Sequence, residues 1–154
     1  MLPGGAKRKI IFRRFGKLSA QDDKTINMKA KSIKGKSTEE IKNALEQSMA
    51  DGFNPTLAIS FISKSQDRTA ITDLLDKKNI SVFGCTTNGE FIDETPEKGS
   101  AAILLLDINR DYFQVFFEEY HGTNYRKVAK GIAQQAKDRF DRPAFLIGIS
   151  NASA

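Results

Sequence analysis

The chain has 154 residues, 40% of them hydrophobic, enough for a core of domain size. Its longest apolar run, Ala101–Leu106, is stopped by Asp107, far short of the roughly eighteen residues a membrane helix needs, so no membrane insertion is expected. A single cysteine, Cys85, excludes an internal disulfide or a cysteine-built metal site and suits a reducing, cytoplasmic setting.

The net charge of +5 lies wholly in residues 1–27, where Lys7, Arg8, Lys9, Arg13, Arg14, Lys17 and Lys24 face only Asp22 and Asp23. From Met28 onward acidic and basic residues cancel, so the folded part carries no net field toward a polyanion, and nucleic acid is not the expected partner. Residues 1–27 are expected to be a basic, disordered leader. Their apolar cluster, Ile10–Phe12, is too short for a secretory signal, and Asp22 and Asp23 do not suit a mitochondrial presequence. A basic arm contacting polyanions is the competing reading of this segment, and Met28 is a candidate translation start.

Regular patterns begin at Met28. Alternation over residues 28–35 predicts a strand ending at Gly35. Ser37 and Glu40 form a capping box ahead of Ile41, Ala44, Leu45, Ser48 and Met49, which share one face of a helix that Gly52 can close. Thr56–Ser63 is apolar on both sides and reads as a central strand. Asp67 caps a second helix with Ala70, Ile71, Leu74 and Leu75 on its inner stripe, ending near Lys77, Lys78 and Asn79. Ser81–Cys85 is a third strand. Residues 100–108 and 112–119 read as a hairpin, followed by a helix starting near Thr123 or Asn124 and a last strand over 143–150. The expected fold is α/β: a layered, mixed, mainly parallel sheet with helices packed on it in the order βαβαβββαβ, spanning residues 28–154 as one domain. The last strand stops four residues from Ala154, which suggests a module cut short.

The segment Gly84-Cys85-Thr86-Thr87-Asn88-Gly89-Glu90-Phe91 starts as the third strand ends. In open α/β sheets ligands bind beyond the carboxyl ends of strands, where loops offer backbone N–H groups and short hydroxyl side chains. The glycine spacing is that of a phosphate-binding loop, but Glu90-Phe91 stands where that loop requires Lys and Ser or Thr. A carboxylate in place of the ammonium argues against nucleoside triphosphates and suits a ligand bearing an amino group. A tight strand-to-loop turn with satisfied hydroxyls is the purely structural alternative. Ser60, Ser63 and Ser65 end the neighbouring strand and would face Thr86 and Thr87, giving a pocket in which hydroxyls and N–H groups hold a carboxylate while Glu90 pairs with an ammonium.

The run VFGCTTNGEF (Val82–Phe91), preceded by TLAISFIS (Thr56–Ser63) and TAITDLLDK (Thr69–Lys77) and followed by GSAAILLLDI (Gly99–Ile108), resembles the N-terminal half of the FIST family. That family is marked by a strand ending in Gly-Cys-Ser/Thr-Ser/Thr-x-Gly-Glu. Gly84, Cys85, Thr86, Thr87, Gly89 and Glu90 match this mark, and Asn88 occupies its variable position. The resemblance covers about Met28 to Ser150 and omits the basic leader. It implies a sensory domain of signal transduction that binds amino acids or similar small metabolites. Its partner would be a signalling output domain or protein not present in this chain, and no catalysis is expected. Ser63 joins the six motif residues as the expected ligand-binding set. The family also implies a second ligand class, haem-dependent sensing of nitric oxide, although no resident cofactor is expected here.

Other chemistry is weaker. Cys85 as a nucleophile needs a base, and the only histidine, His121, lies 36 positions on in a turn. His121 as an axial haem ligand would have to face a deep apolar pocket, whereas its Tyr-His-Gly-Thr setting suits an exposed turn. Phe113, Phe116 and Phe117 lack interleaved basic residues and read as core, not as a base-stacking platform.

Overall fold

A computed structural model describes residues 9–14, 28–87, 90–92, 95–119 and 124–148. In chain order their elements are β1 (Lys9–Arg14), β2 (Lys29–Gly35), α1 (Thr38–Met49), β3 (Leu57–Ser63), α2 (Arg68–Lys77), β4 (Ser81–Thr87), β5 (Glu90–Ile92), β6 (Thr95–Glu97), β7 (Ala101–Asp107), β8 (Phe113–Phe117), α3 (Tyr125–Arg139) and β9 (Pro143–Gly148). The fold is mixed α/β, and no helix among the described residues is long and apolar enough to cross a membrane. The chain divides into two compact units, residues 27–109 and residues 1–26 with 110–154, where the sequence suggested one domain from residue 28 onward.

Local signals shape the helices of the unit spanning 27–109. The Ser37 hydroxyl accepts from the Glu40 N–H at 3.2 Å, and the Glu40 carboxylate accepts from the Lys36 N–H at 2.7 Å, one residue earlier than the reciprocal bond of a standard capping box. Asp67 caps α2 by accepting from the Ala70 N–H at 3.0 Å. Beyond the helix ends, Gly52 (φ 83°) and Asn79 (φ 57°) adopt the left-handed conformation that reverses the chain. Ile41 and Leu45 of α1 and Ile71 and Leu75 of α2 are fully buried against Ile33, Ala58, Ile62, Ile103 and Leu105 of the sheet. At about 1.5–3 kcal/mol per buried aliphatic side chain, this layer is the main stabilising term of the unit.

The sheet of this unit has the order β2-β7-β3-β4. β3 and β4 pair in parallel, as consecutive βαβ strands should, but β7 lies between β2 and β3 and is antiparallel to both. β2, β3 and β4 therefore run the same way, yet only one of the three pairings is parallel. The expectation of a mainly parallel sheet is corrected on this point. The reason lies in composition: Ala101–Leu106 is apolar on both faces and takes an interior position, while the lysine-rich β2 and the polar end of β4 take the edges.

The expected hairpin over 100–119 is also corrected. β7 joins the sheet of its own unit, whereas β8, reached through a 3-10 turn at Arg110–Tyr112, pairs antiparallel with β1. In the unit of residues 1–26 and 110–154, the sheet order is β8-β1-β9, all antiparallel. Lys9–Arg14, inside the segment read as a leader, is its central strand. Ile132, Ala136 and Phe140 bury against Phe116, with Val128 beside them. β9 exposes Phe145, Leu146 and Ile147.

Candidate functional site at the carboxyl ends of β3 and β4

The motif segment folds differently from a ligand-cradling loop. β4 continues to Thr87, two residues past the end expected from sequence, with Ser60 opposite Gly84, Phe61 opposite Cys85, Ile62 opposite Thr86 and Ser63 opposite Thr87. Gly84 to Thr87 are thus strand residues in ladder with β3, and alternate ones face opposite sides of the sheet. Thr86 points to the side of α1 and α2, as its partner Ile62 does, whereas Cys85 and Thr87 point to the other side. The two threonines cannot grip one ligand from the same face.

Ser60 likewise leaves the expected pocket. It lies on the helix side between Ala58 and Ile62, is 2% exposed, and donates weakly to the Phe83 carbonyl at 3.5 Å. A Cβ at Gly84 would collide with the carbonyl and hydroxyl of Ser60. The first glycine of the motif is therefore demanded by strand packing, with no ligand required to explain it.

On the opposite face the register brings four motif-end groups into two adjacent rungs. Phe61 and Cys85 form the first; both are exposed, Phe61 at 45%. Ser63 and Thr87 form the second, Ser63 buried and Thr87 half-buried. The Ser63 hydroxyl lies 3.1 Å from that of exposed Ser65, and its N–H donates to the Ser100 carbonyl at 2.9 Å. Gln66 ties this end of the sheet together: its amide donates to the Lys36 carbonyl at 2.6 Å and the Gly99 carbonyl at 2.7 Å, linking the segments after β2 and before β7. Ser63 thus holds Ser65 and the sheet end in place, while the thiol of Cys85 and the ring of Phe61 meet solvent.

Glu90 opens β5, which pairs antiparallel with β6 and approaches β3 and β7. The Glu90 side chain, Asn88, Gly89 and His121 lie outside the described residues. Sequence reasoning missed Phe61, because a strand apolar on both sides gives no sign of which ring stays uncovered. It also missed Gln66, whose role depends on contacts more than 30 residues away. Comparisons with family models, curated proteins and solved structures find no match to this chain.

Proposed function

We propose that the chain is a FIST-type sensory module that binds a small amine-bearing carboxylate, such as an amino acid, on the open face at the carboxyl ends of β3 and β4. The observation that carries this reading is the pairing of Phe61 with Cys85 and of Ser63 with Thr87 on adjacent rungs of one face. An exposed apolar ring there lies next to hydroxyl groups at the strand ends, the combination of an apolar wall and a few placed polar groups that small-ligand sites use. The Val82–Phe91 motif supports the family and carries Glu90, the proposed partner of the ligand's ammonium. Gly84 serves the site indirectly, by letting β4 lie close against β3, and Thr86 belongs to the other face.

A thermal-shift panel of amino acids, amine-free carboxylates and haem tests the proposal. A ligand at a hundred times its Kd adds about 2.7 kcal/mol to stability. Glu90→Gln should weaken an amine-bearing ligand by about 1.5–3 kcal/mol, the range of a charge-assisted hydrogen bond, and leave an amine-free carboxylate unaffected. Phe61→Ser should weaken both. A shift with haem alone, accompanied by a visible absorbance band, would replace this reading with gas sensing, and no shift with any compound would remove it.

A further inference from the structure

Summed from Met28 onward the charges cancel, but the fold does not divide the chain at that point. The unit of residues 27–109 carries twelve acidic and ten basic residues, whereas the unit of 1–26 and 110–154 carries fourteen basic and seven acidic. The whole positive excess therefore belongs to the second unit, whose helix is α3. Arg126, Lys130 and Lys137, at i, i+4 and i+11, line up in one exposed stripe beside the buried Ile132 and Ala136, and exposed Lys127 flanks it. At about 1.5 Å of rise per residue the stripe is roughly 16 Å long. A Cβ added at Gly131 would meet nothing within 4 Å, so the exposed side of the helix is open.

These cations are placed against local helix energetics. Arg126 and Lys127 lie in the first turn, where the backbone dipole disfavours positive charge; that turn holds no acidic residue, and Asn124 makes no side-chain cap bond. Arg126 and Lys130 repel each other across one turn. By contrast, α1 opens with Glu39 and Glu40 under the Ser37 cap. Nothing in α3 offsets the stripe: its one carboxylate, Asp138, accepts from the Gln134 amide at 2.7 Å, and among the described residues Arg126, Lys127, Lys130 and Lys137 form no ion pair. The Arg126 guanidinium lies over the Tyr125 ring, 6.0 Å from its centroid. A row of uncompensated cations fits a partner whose negative charges also lie in a row. A small anion would meet only one or two of them, whereas a duplex carries a phosphate about every 3.4 Å along each strand. A membrane-surface helix must turn an apolar face to the lipid, but the apolar stripe of α3 is packed against Phe116, and its exposed residues from Arg126 to Lys137 include no large apolar side chain. Nor does the stripe itself contain a ring on which bases could stack. We propose that the Arg126–Lys130–Lys137 stripe docks on the phosphate backbone of a nucleic-acid duplex without reading its sequence. This inference does not depend on the small-ligand reading.

The test uses the full chain with two fluorescent DNA duplexes of twenty base pairs and unrelated sequence. In about 50 mM salt, anisotropy should give a Kd between about 1 and 100 µM, the same for both sequences. The logarithm of the binding constant should fall with the logarithm of salt concentration at a slope of about −2.7 or steeper, as three phosphate contacts require. Lys130→Gln combined with Lys137→Gln should weaken binding roughly tenfold and make the slope shallower by about 1.8. Lys77→Gln combined with Lys78→Gln removes the same charge from exposed positions of the other unit and should leave both quantities unchanged. Circular dichroism checks that each variant folds. Absence of binding at about 100 µM, or equal losses from the two double substitutions, would overturn the proposal. A slope unchanged without Lys130 and Lys137 would also do so, by placing the contact on other cations. Tighter binding to polyglutamate, or to vesicles of equal parts phosphatidylcholine and phosphatidylserine, would replace the duplex with an acidic protein or a membrane.

Discussion

Replacing Gly84 with alanine tests whether this motif glycine serves packing or ligand. The added Cβ would meet the Ser60 carbonyl and hydroxyl directly across the parallel pair. A carbonyl in a ladder cannot rotate away as a flexible side chain can, so β4 must shift from β3 and weaken the bonds between them. Overpacking of this kind costs about 1–3 kcal/mol. The rigid obstacle points to the upper part of that range, while the edge position of β4, which among the described residues pairs in the sheet only with β3, limits the penalty. We expect about 2–3 kcal/mol, or roughly 8–24 °C in Tm for a cooperative unit the size of residues 27–109. Urea unfolding followed by circular dichroism gives the free energy, with the slope checked for constancy. Ser60→Ala in the Gly84→Ala background should recover only a minor part of the loss, because the carbonyl remains. A stability loss under about 0.5 kcal/mol, or full recovery by Ser60→Ala, would refute the backbone-packing account of Gly84.

Three further outcomes follow from the same geometry. Gly52→Ala should cost about 1 kcal/mol, since its φ of 83° is unfavourable for an L residue but nothing lies within 4 Å of the new Cβ; urea midpoints would separate this conformational cost from the larger steric one at Gly84. Ser37→Ala should also cost about 1 kcal/mol by removing the cap bond to Glu40, measured in the same way. The hydrogen bond from the Lys31 ammonium, with that from the Phe53 N–H second, holds the Asp51 carboxyl below its ordinary value. Because the folded value is the lower one, the linked stability is fully present above the unfolded carboxylate range and is lost as pH falls through the folded value. The urea midpoint of Asp51→Asn should therefore fall less steeply below about pH 4 than that of the parent chain.

Much of the candidate site was legible at the level of position and little at the level of orientation. The sequence placed Ser63, Cys85 and Thr87 near the ends of neighbouring strands, and the parallel register puts Ser63 opposite Thr87. It ended the strand at Cys85 and treated Thr86 and Thr87 as loop, because two glycines and a cluster of hydroxyl residues between Gly84 and Gly89 carry turn chemistry. In the fold, main-chain pairing with β3 prevails through Thr87, and a strand's period of two then sends Thr86 to one face and Thr87 to the other. Two extra rungs of pairing thus decide which hydroxyl can share a surface with Cys85, and composition has no access to them.

By itself, the sequence determined what depends on neighbours along the chain: the caps at Ser37 and Asp67, the buried stripes of α1 and α2, and the identity of β3 as an interior strand. These follow from the backbone's local hydrogen-bond demands and from hydrophobic period, both readable within a few residues. Only the tertiary structure decided that β7 lies between β2 and β3, that β8 leaves β7 for β1, and that Gly84 is pinned by Ser60. Each of these is a choice among strands of similar apolar character. Local sequence specifies that a strand needs partners and a covered face, but which partner it takes is settled by burying the most apolar edges of the whole assembly together.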